Sequence, residues 1–282
     1  MTIRWGIVTT GKISHDFVNA INSYPEKGDM VVAAVAARNK SKAAEFAKTH
    51  NIPQVFDSYK ALAASNVIDV GYIGSLNIDH YELAKLFLEN GKHVLCEKPL
   101  CMNFKQAQSL INFAKKKKLF LMEAVWSRCS PAYTSLEKIL QSGQLGDIKF
   151  VEINFGVPAE VDRLTAVMDL GVYPLQFAQF IFKEEPIKVT SVGELNSDGV
   201  DLVDTVVLQY SGGRRAVFNI NATLKLWNKA TVMEDPFHFP DILTHANGVQ
   251  EKFPLHKSPI PYIHINSAGL VYEALEVARS HL

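Results

Sequence analysis

The chain has 282 residues, 48% hydrophobic and 21% charged, the balance of an ordinary soluble globular protein that can bury one or two cores. Its 29 basic and 29 acidic residues cancel, so no global positive field gathers nucleic acid, and a small molecule is the expected partner. No apolar run approaches the roughly 18 residues needed to span a bilayer, and no basic leader precedes the first strand-like segment, so no membrane partner and no targeting segment are expected.

In chain order, residues 3–9 read as a strand and 11–23 as a turn and helix. Residues 30–37 (MVVAAVAA) form a continuous apolar run, as in a strand buried on both faces. A helix over 41–50, a strand over 67–73, a helix over 78–90 stopped at Gly91 and a short strand over 93–96 follow. Phe104, Ala107, Leu110, Ile111 and Ala114 then share one helical stripe, and 119–123 is a further buried strand. Strands alternating with helices predict a doubly wound parallel sheet over residues 1–123. Beyond it, helices are expected over 131–142 and 171–182, and strands over 148–155, 187–195, 202–210 and 216–224. Ser211-Gly212-Gly213 is a hairpin signal between the last two. Residues 124–282 therefore read as a second α/β domain with a mostly antiparallel sheet. The run Lys115–Lys118 suits a solvated helix end, where cations meet the negative pole of the helix dipole.

Cys96, Cys101 and Cys129 are three in number with no C-x-x-C pair, which argues against a disulfide scaffold or structural zinc and for a reducing, cytoplasmic compartment. His238 and His245 are seven apart and His256 and His264 eight apart, without ligand-like spacing, so no metal is expected. The G-x-S-x-G elbow of serine hydrolases is missing as well.

Three segments carry chemistry. The turn after the first strand, Thr9-Thr10-Gly11-Lys12-Ile13-Ser14, fits the dinucleotide fingerprint G-x-G-x-x-G/A only at its middle glycine, Gly11. Alone it also suits a generic strand–turn–helix. The second strand ends in Arg38-Asn39-Lys40-Ser41, with no acid to bind ribose hydroxyls; a guanidinium there pairs with a 2′-phosphate, or is simply a solvated loop arginine. The third segment comprises Ser75, Asn77 and His80 in one loop and Glu97-Lys98-Pro99 in the next, both past strand ends where open α/β sheets bind ligands.

This set, with G-K-H-V at Gly91–Val94, F-L-M-E-A-V-W at Phe120–Trp126, G-Q-L-G-D-I at Gly143–Ile148 and M-D-L-G-V-Y-P at Met168–Pro174, resembles the glucose-fructose oxidoreductase/inositol dehydrogenase/rhizopine catabolism family over most of the chain. The resemblance implies an N-terminal Rossmann domain and a C-terminal open-faced sheet. It is closest to an NADP-dependent branch moving hydride to or from the CH–OH or CH–CH group of a trans-dihydrodiol or an aldopentose such as D-xylose. It further implies catalytic roles for Lys98, Tyr173 and Asp169. Cofactor contacts would fall on Thr9, Gly11, Lys12, Ile13, Arg38, Ser75, Asn77, His80, Glu97 and Lys98, and substrate contacts on Trp126 and Arg163. A homodimer is expected, paired through the open sheet face, where Val206, Leu208 and Tyr210 alternate. The chemistry is coherent: a phenol with pKa about 10 is a poor base unless a nearby cation stabilises phenolate.

The second domain departs from the family pattern. The stretch before Met168-Asp169 is short, which puts the match of Arg163 in doubt. Residues 230–239 carry no hairpin glycine, and the sequence ends inside a helix over 269–280 where relatives continue. Two alternatives therefore stand beside a working NADP dehydrogenase. One is a catalytically weak NADP-binding structural or sensor protein, and the other an NAD-dependent sugar or inositol dehydrogenase.

Overall fold

The computed structural model describes residues 2–156, 165–222, 238–245, 248–264 and 266–280. The chain divides into two compact units, Met1–Ser130 joined by Pro254–Leu282, and Pro131–Phe253. The sequence reading gave everything after 123 to the second domain. Instead the last segment returns to the first unit, because its partners lie some 250 residues back and no local pattern announces them.

In the first unit, β1 (Ile3–Val8), β2 (Met30–Ala36), β3 (Gln54–Phe56), β4 (Val70–Ile73), β5 (His93–Glu97) and β6 (Leu121–Ala124) make one sheet in the order β3-β2-β1-β4-β5-β6. Every neighbouring pair is parallel. This is the dinucleotide-binding strand order, with its switch point between β1 and β4. Helices α1 (Lys12–Ser23), α2 (Lys40–His50), α3 (Tyr59–Ala64), α4 (Asn77–Glu89) and α5 (Phe104–Lys117) connect the strands. The Val70–Ile73 strand is buried at all four positions, which is why it reads as an uninterrupted apolar run. The short β3 and α3 were not anticipated; three and six residues are too few to set up a period. Lys115, Lys116 and Lys117 fill the last turn of α5 and Lys118 caps it at φ 55°.

In the second unit, α6 (Pro131–Gln141) precedes β7 (Phe150–Gly156), and α7 (Val172–Phe182) follows a π-helical turn at Ala166–Leu170. Strands β8 (Lys188–Leu195), β9 (Asp201–Gln209) and β10 (Arg215–Asn221) complete a sheet ordered β7-β10-β9-β8. Only β7 and β10 run parallel; the rest is antiparallel, with Ser211–Gly213 turning β9 into β10. A two-stranded ribbon, β11 (Ile242–Thr244) with β12 (Gln250–Lys252), closes this unit. Val206, Leu208 and Tyr210 do not line the open face: all three are buried, and Tyr210 packs on Phe182 of α7 with ring centroids 4.5 Å apart. Alternation identified two faces correctly but not which one the helix covers. The open face instead carries Thr205, hydrogen-bonded to Asn219 (2.7 Å), which donates to Asn154 (2.6 Å).

The returning segment holds a 3-10 turn, Ser267–Leu270, and α8 (Val271–Arg279). It is stitched to α1. Buried Asp16 accepts from the Ile263 and His264 amides (2.7 and 2.8 Å), the His264 ring (2.6 Å) and the Ser267 hydroxyl (2.8 Å). Asn19 donates to the Ile260 carbonyl at 2.6 Å.

Candidate active site

The carboxyl ends of β1 and β4 meet at the switch point. Thr9 takes the fingerprint's first position with φ 81°, a conformation that favours glycine, and its hydroxyl donates to the Gly74 carbonyl at 2.7 Å. Ser14 takes the third position, fully buried, and a Cβ on Gly74 would lie 2.3 Å from its hydroxyl oxygen. The close helix–strand approach that the fingerprint's last glycine provides is thus made from the other side. Gly11 is the exposed N-cap of α1, with no side chain capping the first turn and no acid within it. Its free N–H groups and the positive end of the helix dipole suit an anion such as a pyrophosphate. Lys12 is exposed beside them and Ile13 half-buried.

At the end of β2, Arg38 is exposed and bonds Tyr59 through its backbone and its side chain. Burial raises the Tyr59 phenol's pKa; those contacts with Arg38 oppose the rise. Asn39 caps α2 by accepting from the Lys42 amide and the Ser41 hydroxyl. The elements thus leave one guanidinium and no carboxylate at residues 38–41.

Beyond β4 and β5, His80 is buried between the Ser75 carbonyl (3.1 Å) and the Pro99 carbonyl (2.7 Å), tying the two motif loops together. Ser75 and Asn77 are half-buried at the start of α4. Glu97 is buried, accepting from the Tyr72 phenol at 2.6 Å and the Lys98 amide at 3.2 Å. Burial raises the Glu97 pKa, while the Tyr72 hydrogen bond, Lys98 and His80 pull it back. Glu123 accepts from the Leu100 amide at 2.8 Å and is likewise raised by burial, opposed by that bond, His80 and Lys98. Lys98, half-buried, therefore sits in the field of two carboxyls, Glu97 buried and Glu123 half-buried. Such opposed desolvation and charge mark functional sites. Trp126 is buried in a 3-10 turn just after β6.

In the second unit Tyr173 is buried in the first turn of α7, edge-on to Phe155 at 5.5 Å and to His238 at 6.2 Å. Asp169 accepts from the Thr165 amide at 3.0 Å while the Thr165 hydroxyl accepts from the Met168 amide, a reciprocal cap of the π-helical turn. Arg163 lies outside the described residues. Tyr72, Glu123 and Tyr59 were not singled out in the sequence, and Ser14 only as the last position of the fingerprint. A polar residue inside an apolar strand was the available signal for the first two.

A cavity of about 750 Å³ opens at the other end of the sheet, lined by Arg4, Asn66, Asp69, Lys92 and His93 among others. Arg4 is consumed there by Asp69 (2.6 Å) and the Asn66 carbonyl (2.7 Å), and none of the expected catalytic, cofactor or substrate residues lines it. Among the described residues no group of three or more His, Cys, Asp or Glu could hold a metal, and no helix is long and apolar enough to cross a membrane.

Residues 3–125 match the family model described as the oxidoreductase family, NAD-binding Rossmann fold, and residues 133–233 match the GFO/IDH/MocA C-terminal domain. The trans-1,2-dihydrobenzene-1,2-diol dehydrogenase of Danio rerio is 39% identical over 296 residues, covering 99% of this chain and 88% of that protein. The chain belongs to the GFO/IDH/MocA oxidoreductase family. The Homo sapiens protein of the same name is 38% identical over 98% of this chain and 87% of its own length. Among solved structures of the family, KijD10, a 3-ketoreductase from Actinomadura kijaniata in complex with NADP and TDP-benzene, superposes with TM-score 0.82 at 21% identity, covering 99% of this chain and 90% of that one. Scyllo-inositol dehydrogenase from Lactobacillus casei gives 0.77 at 15% identity, covering 99% and 88%. At such identities they show the shared fold alone. The 296-position alignment exceeds the 282 residues here, so the relative holds residues without a counterpart in this chain.

Proposed function

We propose that this oxidoreductase is an NADP-dependent dehydrogenase acting on the CH–OH or CH–CH group of a trans-dihydrodiol or of an aldopentose such as D-xylose. The observation that carries the cofactor choice is the end of β2, where Arg38 stands with Lys40 and Ser41 and no carboxylate competes for a ribose hydroxyl. The dihydrodiol dehydrogenase activity named for the relatives supports the diol. An NADP in the crevice between β1 and β4 would supply the hydride acceptor or donor. Its pyrophosphate fits the uncapped α1 N-terminus at Gly11, Lys12 and Ile13, and its 2′-phosphate fits Arg38. Thr9, Ser75, Asn77, His80 and Glu97 shape the loops around it.

Lys98 is assigned to hold the substrate hydroxyl and to stabilise negative charge on oxygen, with the Glu97 and Glu123 carboxyls nearby. Tyr173 is assigned as the proton acceptor in oxidation and donor in reduction, with Asp169 fixing the turn that presents it. Trp126 and Arg163 are assigned to the substrate. The active form is proposed to be a homodimer, and the compartment cytoplasmic.

Nicotinamide fluorescence during titration with NADPH and NADH tests the cofactor, and tighter NADH binding would overturn the Arg38 argument. Reduction of NADP should proceed with a trans-dihydrodiol and with D-xylose; with neither turned over, the substrate class is lost. Lys98→Met and Tyr173→Phe should each remove most turnover, at least about a hundredfold, while leaving NADPH affinity nearly intact. Retained turnover in both would refute the roles.

A further inference from the structure

One carboxyl in the first unit is buried with nothing to bond. Glu273 lies on the buried stripe of α8 with Val271, Ala274 and Val277, is 0% exposed, and neither of its oxygens has a hydrogen-bond partner among the described residues. An ionised carboxylate so placed costs far more than a neutral acid. Glu97 is its contrast: also buried, but provided with the Tyr72 phenol, the Lys98 amide, and the charges of Lys98 and His80.

Among the described residues no cation bonds Glu273; Arg128, on the Trp126–Cys129 turn that packs against α8, is exposed. Burial keeps the Cys129 thiol of the Trp126–Cys129 turn up at about 12 and the Tyr72 phenol of β4 well above its usual range, so both are neutral at working pH. On α1, Asp16 is engaged by His264 and Ser267, His15 bonds the Pro261 carbonyl and His50, and Lys12 is exposed at the helix start. Glu276 and Arg279, on α8 itself, pair with each other at 3.6 Å. The charge that reaches Glu273 is that of Glu97; burial first, and that charge second, push its pKa well above the carboxylate range.

We propose that Glu273 is carried as the neutral acid, while the negative charge of this core rests on Glu97, which the Tyr72 phenol and the Lys98 amide hold. Glu273 is then a positioning residue. While neutral, it leaves Glu97 free to carry the charge that holds Lys98. Its ionisation at high pH adds a second negative charge to the buried core of this unit and sets an alkaline limit on the site. The link to Lys98 rests on the redox reading above; the protonation state does not.

Glu273→Gln, a neutral isostere, tests it. The folded-state pKa of Glu273 lies above the unfolded value of about 4.3, so the wild type loses stability as pH rises from there, and Gln does not. The variant should melt with the wild type near pH 4 and increasingly above it toward about pH 8. Infrared spectra of protein labelled with 13C-glutamate should show a protonated-carboxyl stretch at neutral pH that Glu273→Gln removes. A variant less stable at every pH, or an unchanged carboxyl band, would overturn the proposal; Glu273→Met should shift in the same direction if Gln folds poorly. These readouts need neither cofactor nor substrate, so they stand or fall apart from the redox reading. In turnover, the alkaline decline of kcat should move to higher pH in Glu273→Gln, and superimposable profiles would break the link to Lys98.

Discussion

Thr9 shows how a weak motif is fulfilled by other means. The sequence offered one glycine of three, and the structure supplies the missing two functions with Thr9 at φ 81° and with Ser14 packed against Gly74. A β-branched residue at positive φ costs roughly 1–3 kcal/mol, and its hydroxyl bond to the Gly74 carbonyl offsets about 1 kcal/mol of that. Thr9→Ala keeps the strain and loses the bond, whereas Thr9→Gly loses both. Chemical denaturation should therefore find Thr9→Ala less stable than Thr9→Gly by about 1 kcal/mol. If Ala is the more stable of the two, the turn is not strained. None of this was legible in the sequence, because a Thr in a turn does not reveal its φ. Lys98 and Tyr173 were legible as motif members, but the carboxyls near Lys98, Glu97 and Glu123, come from two different strands.

At the scale of elements, the parallel sheet was the legible part, since strands buried on both faces must be apolar throughout and helices between them amphipathic. The return of residues 254–280 onto α1 was not legible, because it is held by polar residues of α1, Asp16 above all, whose partners lie some 240 residues on. Asp16 looks like any first-half helix residue until its four donors from 263–267 are placed on it. Burial pushes its pKa up, but the His264 ring, the two amides and the Ser267 hydroxyl outweigh it and hold the carboxyl below its ordinary range. A depressed folded pKa contributes stability above the unfolded value of about 3.9, lost as pH falls through the folded pKa. Asp16→Asn should therefore cost about 3 kcal/mol at neutral pH, since it forces an amide N–H toward donors and removes a buried charge from its partners. The penalty should shrink below about pH 4, and hydrogen exchange at the Ile263 and His264 amides should quicken. A penalty independent of pH would mean that packing, not charge, holds the segment.

For the whole molecule, the second unit leaves more apolar surface than a lone chain usually shows. Ile187, Val189, Val192 and Leu195 are 74%, 59%, 75% and 67% exposed, all on or beside the edge strand β8, whose residues are exposed on both faces. Unpaired edges and grouped apolar side chains invite association unless something covers them. On the open face, Val192, Thr205, Asn219 and Asn154 follow one another across the four strands in register, with the last three satisfying one another's hydrogen bonds. A polar ladder whose bonds are already made costs little to take out of water, so this face can pack against a copy of itself through its valines, Val192, Val207 and Val217. The homodimer proposed from the family resemblance thus gains a surface, though not the residues first expected to form it. Sedimentation at about 10 µM, where a submicromolar dimer stays associated, should give a mass near twice the 31.4 kDa of the chain. Val207→Lys, at the middle of β9 and half-buried, should shift it to the monomer by placing a charge in the centre of the contact while leaving the helix-covered side intact. A wild-type monomer at that concentration removes the dimer, and a Val207→Lys dimer moves the contact to the β8 edge.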